Sequence, residues 1–244
     1  MNRFAMSLLA GFLLASLVSA NDAAPAKKAK SNTTTASKQA RKNPAYAEVV
    51  DDPSLPRVLL IGDSISIGYT LPVREKLMGK ANIHRIKTNG GPTTRGVASI
   101  DSWLGDGNWD LIHFNWGIHD VVKREKGGPN RVPLKEYTKN LESLTDRLKE
   151  TGATLVWATT TPIPDGVVEP VVILDSDVQA YNAAAAKIMM KKNIATDDLY
   201  SFAKPQLEKI QRKANVHFTP EGSKVLGEQV ANHIEKTLKE ARKK

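Results

Sequence analysis

Cysteine is missing from all 244 residues. Its absence excludes disulfides, thiolate zinc sites and a cysteine nucleophile together. The histidines and carboxylates show no spacing that suggests a metal centre, and no internal repeat is present. Long apolar runs are scarce. The one that stands out, Ala5 to Val18, follows Arg3 and ends at Val18-Ser19-Ala20. It is short for crossing about 30 Å of hydrocarbon. Its basic start and small-residue end read as a secretory signal peptide over residues 1–20. No cysteine follows it to carry a lipid. The expectation is an exported protein, periplasmic or secreted, with no stable membrane insertion after cleavage.

Basic charge is plentiful but concentrated in the tails. The net charge is +9, of which Arg3 supplies +1, residues 21–50 +4 and residues 235–244 +3, leaving +1 for residues 51–234. A nearly neutral body lacks the basic stripe of a nucleic-acid binder, so no nucleic-acid partner is expected. The tails suit contact with an acidic surface or plain solubilisation. Residues 21–52 are rich in Ala, Lys, Ser, Thr and Asn without apolar periodicity. They read as a disordered linker. One ordered domain is expected over residues 53–244, large enough to stand on its core without disulfides.

Within that domain strand and helix signals alternate. Val58 to Ile61 is a short apolar run, read as a strand buried on both faces. Further strands are expected at Ile83–Lys87, Asp110–Trp116, Ala153–Thr159 and Ile194–Leu199. Helical spacing recurs over Leu71–Met78, with Pro72 in a first turn, and after Thr93 or Thr94 as caps. It recurs again over Leu134 to Leu148, over Val178 to Ile188, and after Thr219-Pro220. Strands alternating with helices imply right-handed crossovers and a mainly parallel sheet. The expected fold class is α/β, a three-layer α/β/α sandwich of flavodoxin-like type with about five strands.

Chemistry gathers at the C-terminal edge of that sheet, where open α/β folds place their sites. Ser64 follows the first strand, Gly90 and Gly91 the second, and Gly117-Ile118-His119-Asp120 the third. His217 precedes the last helix, which can return it to the same edge. A serine hydroxyl needs a base, and histidine has a suitable pKa. The oxyanion formed on attack needs preorganised donors, which a glycine backbone can bring close. Asp63 reads as a residue that fixes the turn. Trp116 reads equally as core or as a substrate contact, while His84 and His113 read as packing residues.

These blocks resemble the SGNH (GDSL-type) hydrolases over roughly residues 57–234. Gly62-Asp63-Ser64-Ile65 is similar to the first block of that family, Asn89-Gly90-Gly91-Pro92 to the second, and Val216-His217-Phe218-Thr219-Pro220-Glu221-Gly222 to the fifth. The resemblance implies a serine ester hydrolase with Ser64 and His217 as catalytic residues. It also implies an oxyanion hole from Ser64, Gly91 and His119, and neither cofactor nor metal. Asp63, Asn89, Gly90, Asn115, Asp120 and Asn215 stand as supporting residues.

Two departures matter. The third block usually carries Asn where His119 stands, with Asn115 a possible substitute donor. The family's triad acid lies three residues before the histidine, where this chain has Ala214, with Asn215 beside it. Three arrangements follow: a backbone carbonyl orients His217 in a Ser-His dyad, a carboxylate arrives from elsewhere, or activity is weak or absent. The sequence reading favours the first. The expected substrate is an acylated carbohydrate or another small ester, with acetyl the expected group. The alternatives are a lipase or thioesterase of the same family and a non-catalytic glycan-binding protein on an esterase fold. An FMN-binding flavodoxin shares the architecture, but the first loop lacks a dense Ser/Thr phosphate cradle.

Overall fold

Alternation along each strand decides which layer each side chain joins. On β1 (Arg57–Ile61), Val58 and Leu60 face one side of the sheet while Leu59 and Ile61 face the other. All four are buried, and burying a Leu or Ile contributes about 2 kcal/mol. The computed structural model describes residues 43–164 and 171–243. Within them β1, β2 (Asn82–Arg85), β3 (Leu111–Phe114), β4 (Thr154–Ala158) and β5 (Ala195–Asp197) pair in the order β2-β1-β3-β4-β5. All four pairings are parallel. The sheet is flanked by helices, giving the expected α/β/α sandwich.

One layer holds α1 (Ser64–Lys76) and α7 (Pro220–Ala241). Their Tyr69, Val73, Leu226, Val230 and Ile234 pack on Val58, Leu60 and Val156. The other holds α2 (Thr93–Leu104), α3 (Leu134–Lys149) and α4 (Asp175–Lys191). Ile100, Leu104, Tyr137, Leu141, Leu144, Leu148 and Val178 there cover Leu59, Ile61, Ile112 and Phe114. Two short helices, α5 (Leu199–Ala203) and α6 (Leu207–Ile210), join β5 to α7. The chain leaves β1 for β2 on one side and returns to β3 on the other. The crevice between β1 and β3 is therefore the topological switch point.

Several local expectations shift. Helix α1 starts at Ser64 rather than Leu71, because the Asp63 side chain accepts from Ile65 N at 2.9 Å and caps it there. Pro72 consequently lies inside the helix, where it cannot donate to the carbonyl four residues back. Gly227 of α7 sits directly against it; a Cβ there would come within 2.5 Å of Pro72 Cβ. Neither Thr93 nor Thr94 caps α2. Its Pro92 cap has no side-chain bond, and Asp120 serves instead, accepting from Thr93 N at 2.9 Å across 27 residues.

The ordered chain also begins earlier than Pro53. Asn43 caps a single 3-10 turn at Pro44–Tyr46, and Ala45 is buried. Arg74 donates to the carbonyls of Pro44 and Ala47, and Asn82 exchanges hydrogen bonds with Asp52. Residues 1–42, including the signal-peptide reading and most of the linker reading, lie outside the described residues. No described helix is long and apolar enough to cross a membrane.

Candidate active site

Ser64 is the first residue of α1, immediately beyond β1 and the Gly62-Asp63 turn. Its own N–H belongs to the helix's opening turn and has no partner within the helix. The turn is held from three directions. Asp63, buried, engages Ile65 N. The Gly62 carbonyl accepts from Gly90 N at 3.0 Å and from Arg85 Nη2 at 3.2 Å.

The histidine arrives from the far end of the chain. Residues 211–218 fold back on themselves. Gln211 and Phe218 form an antiparallel bridge, and Arg212 N donates to His217 O at 2.9 Å. Ala214 adopts a left-handed φ of 48° to close the turn. Thr219 then caps α7, its side chain accepting from Gly222 N, as the sequence suggested. With α7 packed on α1, His217 Nε2 lies 2.8 Å from Ser64 Oγ.

The other ring nitrogen settles what stands behind the histidine. His217 Nδ1 is 2.8 Å from Asn215 Oδ1, and that same oxygen accepts from His217 N at 2.9 Å. The backbone bond requires an acceptor at this position, so the amide faces the ring with its oxygen. Nδ1 therefore carries the proton and donates to Asn215, leaving the Nε2 lone pair for the Ser64 hydroxyl. The favoured expectation of a backbone carbonyl is thus corrected. The partner is the Asn215 side chain, two residues before His217. The amide reaches because Asn readily turns back onto backbone two residues on.

The other residues divide. Gly91, with a φ of 62°, sits beside the site, but its N–H donates to Asn89 Oδ1 at 2.8 Å. Asn89 must release that N–H before it can serve an oxyanion. Asn115 is not an available substitute donor. Its Nδ2 bonds to Ala158 O at 2.8 Å and Thr160 Oγ1 at 3.2 Å, tying the end of β3 to β4. His119 is half-buried and lies within electrostatic reach of Asp63, Arg131, His217 and Arg95. Desolvation lowers its pKa, Arg131, the neighbouring His217 ring and Arg95 add to this, and Asp63 opposes it. It stands as a neutral ring with an N–H to give. Trp116 is a core residue, 1% exposed, stacked over Gly96 of α2 rather than open to a substrate.

Asp120 does more than the sequence indicated. Its Oδ1 receives both Thr93 N and Thr93 Oγ1, while Oδ2 is buried without a partner. Burial raises its pKa to about 7 against the Thr93 bonds and Arg131, which pull it down. The folded state thus keeps a proton that an unfolded aspartate sheds near pH 4, and stability falls as pH rises from about 4 to 7. Asp120→Asn is expected to flatten that slope. Urea midpoints at pH 5 and pH 7.5 should lie closer together in the variant; an unchanged gap would contradict the assignment.

Sequence reasoning missed Arg85. It is buried at the end of β2, with Nε and Nη1 unpartnered and Nη2 on the Gly62 carbonyl. An arginine between Ile83 and Ile86, inside a segment read as a strand of a sheet covered on both faces, was the available signal. Among the described residues no group of three His, Asp or Glu is arranged to hold a metal ion.

The architecture matches known structures. A lipase/acylhydrolase from Enterococcus faecalis superposes with a TM-score of 0.65 at 16% identity, covering 75% of this chain and 96% of that one. The acetyl xylan esterase AlAXEase superposes with a TM-score of 0.62 at 16% identity, covering 73% and 99%. Axe2, an acetylxylan esterase from Geobacillus stearothermophilus, gives 0.61 at 19% identity, covering 73% and 94%. No curated protein matches the sequence. Residues 60–225, which run from β1 through the serine turn to the histidine loop and into α7, match the model of the GDSL-like lipase/acylhydrolase family, and the chain belongs to that family.

Proposed function

We propose that the protein is an exported serine esterase that removes acetyl or similar short acyl groups from a carbohydrate. The continuous chain from Ser64 Oγ through His217 to Asn215 Oδ1 carries this reading. Ser64 Oγ attacks the ester carbonyl carbon while Nε2 of His217 takes its proton. The tetrahedral oxyanion is met by the Ser64 N–H and a ring N–H of His119, joined by Gly91 N–H once Asn89 lets it go. Collapse expels the sugar hydroxyl, which leaves with the proton from Nε2. Water then attacks the acyl-Ser64 carbonyl, giving its proton to the same nitrogen, and the carboxylic acid departs with Ser64 restored. Asn215 holds the ring in the right tautomer throughout but brings no negative charge to the imidazolium.

The acetyl and carbohydrate parts of the proposal draw on the acetylxylan esterases that share the fold. Export draws on the apolar run from Ala5 to Val18. A fluorophosphonate probe is expected to label the wild-type protein at Ser64 and to leave Ser64→Ala unlabelled, read by peptide mass spectrometry. An unlabelled wild type that still binds a glycan would favour a non-catalytic binding protein instead.

A further inference from the structure

The loops around Ser64 are more basic than the body as a whole, and two of their cations have nothing to pair with. Arg95 stands in the first turn of α2, its aliphatic stem against Gly91. Its Nη2 rests on the Thr88 hydroxyl at 2.9 Å, not on a carboxylate. Arg131 closes the loop that follows β3. Arg131 N donates to Val122 O at 2.7 Å and Val132 N to Asp120 O at 3.1 Å, so its backbone is fixed next to His119 and Asp120. Both arginines are exposed, and neither makes an ion pair among the described residues. By contrast, Lys123 of the same loop is matched with Asp177 at 3.0 Å.

The carboxylates nearby are already committed. Asp63 is buried on Ile65 N and Asp120 is buried on Thr93. Both arginines, one on α2 and one in the β3 loop, lie within electrostatic reach of the His119 ring and are open to solvent. A guanidinium presents a fork that fits a carboxylate with two parallel hydrogen bonds.

We propose that the natural ester substrate carries a carboxylate close to the acylated hydroxyl, as an acidic sugar does, and that Arg95 and Arg131 bind it. This rests on the esterase reading above and narrows its substrate. Acetyl removal from a neutral glycan would leave both arginines idle. An acidic sugar would instead be drawn in by the rim and held with its ester against Ser64. Charge at a rim acts mainly on association and is weakened by salt.

The test compares 4-nitrophenyl acetate with 3-carboxy-4-nitrophenyl acetate, reading kcat/KM for each at low and high salt. The preference for the carboxylated ester is expected to fall several-fold in Arg95→Gln and in Arg131→Gln, and about tenfold in the double variant. High salt should erode the wild-type preference and leave that of the double variant nearly unchanged. A preference that survives both substitutions, or equal losses on the two esters, would overturn the proposal while leaving the esterase intact. No turnover of either ester by the wild type would sink both readings.

Discussion

His217→Ala is expected to lower kcat for 4-nitrophenyl acetate by a factor on the order of 10⁴ to 10⁶. Without Nε2 at 2.8 Å from the hydroxyl, nothing removes the Ser64 proton, and a neutral serine is a poor nucleophile. What survives is the contribution of the oxyanion donors. Substitutions behind the ring separate orientation from charge. Asn215→Ala removes the acceptor at Nδ1, so the imidazole can take either tautomer, and a loss of about 10²-fold is expected. Asn215→Asp keeps the acceptor and adds a negative charge beside the ring. A carboxylate there favours the imidazolium, which must form in the transition state. It also raises the pH at which the free base is lost. The acid limb of the kcat/KM profile should therefore move to higher pH, with faster turnover above it. A limb that stays in place in Asn215→Asp would show that this side chain does not act on the base.

Gly222→Ala is the substitution expected to cost most stability. A Cβ at this position would lie 1.9 Å from Ile210 O and 2.7 Å from Ile210 C. Both are backbone atoms, so no rotamer change relieves the overlap. The carbonyl cannot simply withdraw either. It accepts from Thr219 N at 2.9 Å and Thr219 Oγ1 at 3.1 Å, the bonds that set the start of α7. Forced overpacking of this kind costs about 3 kcal/mol. For a domain of about 200 residues that lowers Tm by roughly 6–12 °C. Calorimetry reads the shift directly. Turnover should fall as well, because the Gln211–Phe218 bridge that closes the histidine loop lies between Ile210 and Gly222. A variant that melts with the wild type and turns over normally would show that the start of α7 yields freely.

The order of strands and helices was legible because apolar spacing is local. Val58 to Ile61 and the Leu134–Leu148 series declare their partners within a few residues. Ser64, Gly91, His119 and His217 could be placed on one sheet edge because parallel topology sends every strand's end to the same side. What stayed hidden depends on distance or on turn shape. That Asp120 caps α2 follows from contact across 27 residues. The Asn215 acceptor follows from a turn in which Ala214 takes a left-handed conformation, which no composition rule assigns to alanine. Trp116 is buried because Gly96 of α2 leaves room for its indole, a fact of helix approach that strand position alone does not carry.

The segment before β1 has a consequence for the sheet itself. β2 is an outermost strand of the sheet. Residues 43–52 descend beside it in the opposite direction, with Tyr46 over Arg85, Asp51 on His84 and Asp52 on Asn82. An outer strand left bare offers a template on which another chain can add. A chain cut at Pro53 would retain every residue of the site and yet lose this cover. Such a protein would be vulnerable to self-association rather than to inactivation at Ser64. A form of the domain that keeps this cover includes residues 43–52.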